Sequence, residues 1–152
     1  MGVALGKNRQ TVARTWRLSR SERPRPRHPA ASGGFLGANA RYLLGGWVQD
    51  RYGPSFPYGT FIINVTGSFI LGLFATLSLR YAWNEQWRLL VAIGFVGAYT
   101  TFSTFEYETI QLIAEGGRYK AAAINLAGSV FVGFFAAYFG VVIARLLMRG
   151  KV

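Results

Sequence analysis

The sequence predicts an all-α integral membrane protein with four transmembrane helices, the third of them broken mid-span. Two observations carry that prediction. The 152-residue chain is 51% hydrophobic and only 15% charged, whereas soluble domains carry roughly 25% charged residues. After Pro29 the apolar residues gather into four stretches separated by short, Gly- and Pro-punctuated connections. A soluble bundle would show a polar stripe along each helix, but Phe61–Leu79 and Ala121–Val142 contain no charged residue.

The first stretch, Gly33–Val48, is short for a span and is interrupted by Arg41. It reaches the ~20 residues needed to cross the hydrocarbon only by borrowing flanking positions. Phe61–Leu79 is the second, with Asn64, Thr66, Ser68, Thr76 and Ser78 as its polar residues. Leu89–Ile113 and Ala121–Met148 are the third and fourth. Trp47, Trp83, Trp87 and Tyr119 fall at the predicted span ends, where an aromatic belt belongs.

Residues 1–32 read as a basic, disordered N-terminal extension, and 33–152 as the membrane domain. Lys7, Arg9, Arg14, Arg17, Arg20, Arg23, Arg25 and Arg27 are opposed there only by Glu22. Pro24, Pro26 and Pro29 argue against a helix in the second half of this tail. Its Arg-rich, acid-poor makeup resembles an organellar transit peptide, although a plain extension or a start-site artefact explains it equally well. By the positive-inside rule the tail places both termini in the cytoplasm. Without residues 1–29, Arg80, Arg88, Arg145, Arg149 and Lys151 face Arg51, Arg118 and Lys120 across the membrane, and the preference nearly vanishes.

Composition also excludes functions. There is no cysteine, and the single histidine, His28, lies in the tail. Disulfide, thiol and most His-based chemistry is thereby removed, and no enzyme is expected.

Polar residues inside a bilayer are costly and mark either interhelical bonding or a pathway. Thr60 and Asn64 are four apart on one helix face, as are Asn125 and Ser129, with Gly133 a turn further on. Such tracks supply amide and hydroxyl donors without a carboxylate. Interhelical bonding explains them too, combined with the small-residue pairs Gly33-x-x-x-Gly37, Ser68-x-x-x-Gly72 and Ser129-x-x-x-Gly133. In the third span, Gly97 followed by Thr100, Thr101, Ser103 and Thr104 is poor helix material. A break there frees backbone carbonyls, which suit a cation, and starts a new helix N-terminus, which suits an anion. Phe102 and Phe105 share one face, as packing residues or as something more.

The string Gly97-Ala-Tyr-Thr-Thr-Phe-Ser-Thr-Phe-Glu-Tyr-Glu108 closely resembles the third-helix signature of the Fluc (CrcB) family of fluoride-specific ion channels. Gly33-Gly-Phe-Leu-Gly-Ala-Asn-Ala-Arg-Tyr42 resembles its first helix and Tyr58-Gly-Thr-Phe-Ile-Ile-Asn-Val-Thr-Gly-Ser-Phe69 its second. Asn125-Leu-Ala-Gly-Ser129 fits the fourth more loosely. The resemblance implies a passive fluoride channel in the cell inner (plasma) membrane, multi-pass, that exports fluoride and lowers its cytoplasmic concentration. It implies an antiparallel, dual-topology homodimer with two pores and a structural, non-transported sodium ion. That sodium would be held by the backbone carbonyls of Gly97 and Thr100. Phe102 and Phe105 would form an aromatic box, Asn64 would point into the pore, and Ser129 with Thr60 and Asn125 would continue the polar track. Arg41, Glu106 and Glu108 receive no firm role.

The chemistry is coherent in its own terms. Fluoride is small and strongly hydrated, so a dry pore must replace its water with donors such as amides and hydroxyls. The edge of a phenyl ring is the positive part of its quadrupole and can meet an anion. Fluoride and membrane lipid are the expected partners, and no nucleic acid. A basic tail conflicts with dual topology, which leaves three resolutions: removal of the tail, a start-site artefact, or a paralogue of opposite orientation in place of the second copy. Two other functions fit the residues less well. A small four-helix drug or cation antiporter wants a titratable carboxylate deep in a span; the first, second and fourth stretches have none, and Glu106 and Glu108 follow the break towards the end of the third. A membrane-anchored scaffold with a nucleic-acid- or lipid-binding tail leaves the Thr-Thr-Phe-Ser-Thr-Phe string unexplained.

Overall fold

The computed structural model describes residues 27–114 and 117–149; the basic tail up to residue 26 lies outside the described residues. Every described element is helical. Helix α1 (Arg27–Tyr52) is followed by α2 (Tyr58–Arg80) and by the four-residue α3 (Glu85–Arg88). A π-helix (Leu89–Val96) continues α3 and passes into the single turn α4 (Gly97–Tyr99). Helices α5 (Phe102–Ala114) and α6 (Tyr119–Arg149) complete the chain.

Three stretches are long and apolar enough to cross a membrane: Tyr58–Arg80, Glu85–Ala114 and Tyr119–Arg149, with mean hydropathies of 1.8, 1.3 and 2.2. Helix α1 is different in kind. Its 26 residues span about 39 Å at the helical rise of ~1.5 Å per residue, but Arg41 and five glycines dilute its apolar character. It begins at Arg27, six residues before the apolar stretch, and carries Pro29. The expectation that the prolines keep residues up to 29 out of a helix is corrected at that residue. Pro29 sits in the first turn, where a backbone N–H has no intrahelical acceptor, and its fixed φ suits a helix start.

Two close backbone contacts organise the bundle. Helix α1 lies along the π-helix, and a Cβ on Gly37 would run into the backbone of Phe95, one on Gly94 into that of Ala30. Helices α2 and α6 approach in the same manner, with Gly72 against Ala137 and Gly140 against Phe69. Where hydrocarbon surrounds the helices, packing of this closeness takes over from the hydrophobic effect as the attraction between them. Tyr99, Val96 and Ile63 are buried between the elements. Phe131, Phe134 and Phe102 remain exposed at 63%, 68% and 70% in the single chain. An apolar exterior of this kind suits a protein surrounded by lipid.

Short turns fix the ends. Asn84 caps α3 by accepting from the Gln86 amide at 3.1 Å. Trp83 packs on Phe74 with ring centroids 5.3 Å apart. At the opposite end the Arg118 guanidinium donates to the Ser55 carbonyl, tying the α1–α2 and α5–α6 connections together.

Candidate functional site

The helical path stops after Tyr99 and restarts at Phe102. Thr100 is extended, with φ −78° and ψ 155°. Asn64 of α2 holds this interruption in place: its Oδ1 accepts from the Thr101 amide at 2.8 Å, and its Nδ2 donates to the Thr101 carbonyl at 3.0 Å. The side-chain amide thus stands in for a neighbouring peptide group. Thr101 is also the N-cap of α5, its Oγ1 receiving the Thr104 amide at 3.3 Å, the role for which Thr is favoured at that position.

These bonds redirect donors. In an uninterrupted helix the Thr101 N–H would close on the Gly97 carbonyl, and the Thr104 N–H on the Thr100 carbonyl. Both are turned elsewhere. Gly97 and Thr100, the residues that the family resemblance implies for sodium, are therefore among the carbonyls at the interruption whose helical donors are turned elsewhere. Neutral carbonyl oxygens are the donor set a hard monovalent cation accepts, so these residues fit the ion.

A cavity of about 360 Å³ opens beside the interruption and is lined by Asn64, Thr101, Phe102, Phe105, Ser129 and Phe134, among others. Four of the six pore candidates from the sequence, Asn64, Phe102, Phe105 and Ser129, meet here. The Phe102 and Phe105 rings lie 5.7 Å apart at 44°. Phe105 is 5% exposed while Phe102 projects outward. Among the described residues no charged side chain contributes to the lining. An anion entering would meet amide and hydroxyl donors, ring edges and the positive end of the α5 dipole, with no fixed cation to trap it.

Thr60 and Asn125 lie apart from this cavity, engaged with the far part of α5. Thr60 Oγ1 donates to Glu108 Oε1 at 3.0 Å, and Asn125 Nδ2 donates to Thr109 Oγ1 at 2.8 Å. Asn125 is 1% exposed, and Ser129 reaches its Oδ1 only weakly, at 3.5 Å. The two polar faces read from the sequence are thus bridged by α5 rather than running open along their length. Among the described residues the second, buried oxygen of Glu108 has no hydrogen-bond partner, and Glu108 lines another cavity of about 350 Å³ with Gln49, Gln111 and Arg118. Other hydroxyls are satisfied within their own helix, Ser68 on the Asn64 carbonyl and Thr76 on the Gly72 carbonyl. Thr66 bonds back to Ile62 and also meets the Tyr99 hydroxyl at 2.8 Å.

Three residues of this arrangement have no site role in the sequence reading. Thr101 reads in the sequence only as poor helix material, although Thr is a residue type favoured at a helix N-cap. Thr109, one turn beyond Phe105 on the same face of α5, had no signal beyond its position. Glu108 was noticed without a role, and its partner Thr60 is 48 residues away.

Comparison with known proteins bears on the whole region. Residues 29–141 match the model of the family described as CrcB-like protein, Camphor Resistance (CrcB). A protein of Acidobacterium capsulatum is 46% identical over 119 residues, covering 78% of this chain and 94% of its own. One from Solibacter usitatus is 47% identical over 116 residues, covering 76% and 94%. One from Trichormus variabilis is 40% identical over 133 residues, covering 85% and 96%. All three carry the name fluoride-specific ion channel FluC. Residues 29–141, matched by the family model, contain the interruption and the cavity beside it.

Proposed function

Because the chain belongs to the CrcB-like family, we propose that it is a passive, fluoride-selective ion channel and not an enzyme. The observation that carries this reading is the uncharged cavity at the helix interruption, where Asn64, Ser129, Phe102 and Phe105 converge. Neutral donors there replace water around a small anion and release it again, as conduction requires. Chloride is excluded by size. Export down a gradient lowers fluoride in the cytoplasm.

In this reading α1 is the first of four spans, α3 to α5 together form the third, and the interruption sits at membrane depth. Non-helical backbone is tolerated there because Asn64 and Thr101 satisfy it within protein. The protein works as an antiparallel, dual-topology homodimer in the cell inner membrane, or beside a paralogue of opposite orientation. The second copy covers part of the exposed aromatic face that includes Phe102 and Phe134. Residues 33–152 are the channel domain, and the basic tail is not needed for conduction. The carbonyls of Gly97 and Thr100 hold a structural sodium ion, which when bound supplies positive charge between the subunits. Thr60 and Asn125 extend the polar route along α5 towards Glu108.

Fluoride efflux from liposomes containing the full chain, followed with a fluoride electrode and with chloride as control, tests the proposal. Passive fluoride loss without chloride loss is expected, abolished by Phe102→Ile. Equal loss of both ions, or none from folded protein, would overturn it. Replacing sodium by N-methyl-D-glucamine throughout should suppress the flux, and undiminished flux would remove sodium from the account.

A further inference from the structure

At the end of the molecule where α2 and α6 terminate, Arg80, Arg145 and Arg149 surround a cavity of about 450 Å³ whose remaining lining is Val142, Leu146 and Met148. We propose that this cavity binds an anionic phospholipid, its phosphate held by the three guanidiniums and its glycerol and upper acyl chain lying against the apolar residues. The inference rests on the reading that these helices span a membrane.

Four observations point there. Arg145 and Arg149 are one turn apart and share a face of α6. Arg80 is the last residue of α2, which is locked against α6 by the backbone contacts at Gly72 and Gly140, so the cluster is held by a rigid helix pair. Among the described residues none of the three guanidiniums is paired with an acid, and three like charges around one cavity call for a counter-anion. The lining is also amphiphilic. Guanidiniums bind phosphate in bidentate fashion, but a free phosphate would have no use for Val142, Leu146 and Met148. The turn that follows Arg80 carries Trp83, packed on Phe74, at the level where an aromatic belt meets headgroups.

Basic side chains at helix C-termini also complement the helix dipole, and scattered basic residues attract anionic lipid through surface potential alone. A site differs from both in being local, and the experiment is built on that difference. Full-length protein is reconstituted in phosphatidylcholine vesicles containing spin-labelled phosphatidylglycerol or spin-labelled phosphatidylcholine. The motionally restricted fraction of each label is read by electron paramagnetic resonance, and fluoride efflux is recorded from the same vesicles. Wild-type protein should restrict phosphatidylglycerol in preference to phosphatidylcholine. The triple variant Arg80→Gln/Arg145→Gln/Arg149→Gln should lose that preference, by about fivefold per arginine removed. Arg88→Gln, at the same end but outside the cavity, should retain it. A loss of about fivefold in Arg88→Gln as well, the same per charge as in the triple variant, would overturn the site in favour of diffuse surface charge. Displacement of the labelled lipid by inorganic phosphate as effectively as by unlabelled phosphatidylglycerol would overturn the lipid assignment. If the triple variant fails to fold, the single Arg145→Gln variant, whose side chain is exposed, is read in the same way. Retained fluoride efflux in a variant that has lost lipid preference separates failure here from failure of the channel reading.

Discussion

Asn64→Ala is the most informative perturbation of the interruption. The substitution deletes both bonds to Thr101, at 2.8 and 3.0 Å, and leaves a half-buried backbone N–H and C=O without partners. An orphaned backbone group of this kind costs about 1–3 kcal/mol, whereas hydrogen bonds in membrane bundles average nearer 0.6 kcal/mol. Two of them together place the loss at roughly 1.5–4 kcal/mol, read as a fall in the unfolding free energy in a detergent titration. The functional loss should be larger than the stability loss suggests. Thr101 freed from Asn64 can return its amide to the Gly97 carbonyl and straighten the helix, which removes the cavity wall. Fluoride efflux should therefore fall to background in protein that is still folded. Ser129→Ala lines the same cavity but holds no backbone, so it should reduce flux with a stability change under about 1 kcal/mol. If Asn64→Ala leaves both stability and flux at wild-type values, the clamp has no role and the reasoning fails.

Three further outcomes follow from the same geometry. Thr101→Val should destabilise by about 1 kcal/mol through loss of the α5 cap while Thr101→Ser does not, a difference measurable in the same titration. Phe105→Ala, at a buried ring, should cost about 3–5 kcal/mol, while Phe102→Ala, at an exposed one, should lower flux with little change in stability. Gly37→Ala forces a methyl into the Phe95 backbone and should cost about 1–3 kcal/mol, whereas Gly34→Ala meets nothing within 4 Å and should be neutral in the yield of folded protein.

Different features were legible in the sequence for different reasons. The spans from Tyr58, Glu85 and Tyr119 announce themselves because each contains a long uncharged apolar run, 58–79, 89–105 and 121–144, with few alternatives to lipid. The extent of α1 was harder to see: its hold on the bundle comes from bare backbone at Gly37 and Gly94, which hydropathy does not record. The π-helix had no signal at all, since Leu89–Val96 is uniformly apolar and the i→i+5 register depends on what packs against it. Local spacing placed Asn64 with Thr60, and Ser129 with Asn125, on common faces, but periodicity does not say which neighbour a face meets. Thr60 and Asn125 turn to Glu108 and Thr109, while Asn64 turns to a backbone group 37 residues away. That last partner carries no side-chain identity, so no pattern of residue types could have named it.

The most direct test of the central claim is the reversal potential of the current carried by the purified protein in a planar bilayer, under opposed fluoride and proton gradients. A passive fluoride channel reverses at the Nernst potential for fluoride, and chloride or pH gradients do not move it. A reversal potential that follows the proton gradient would contradict the account and replace the channel with a coupled transporter.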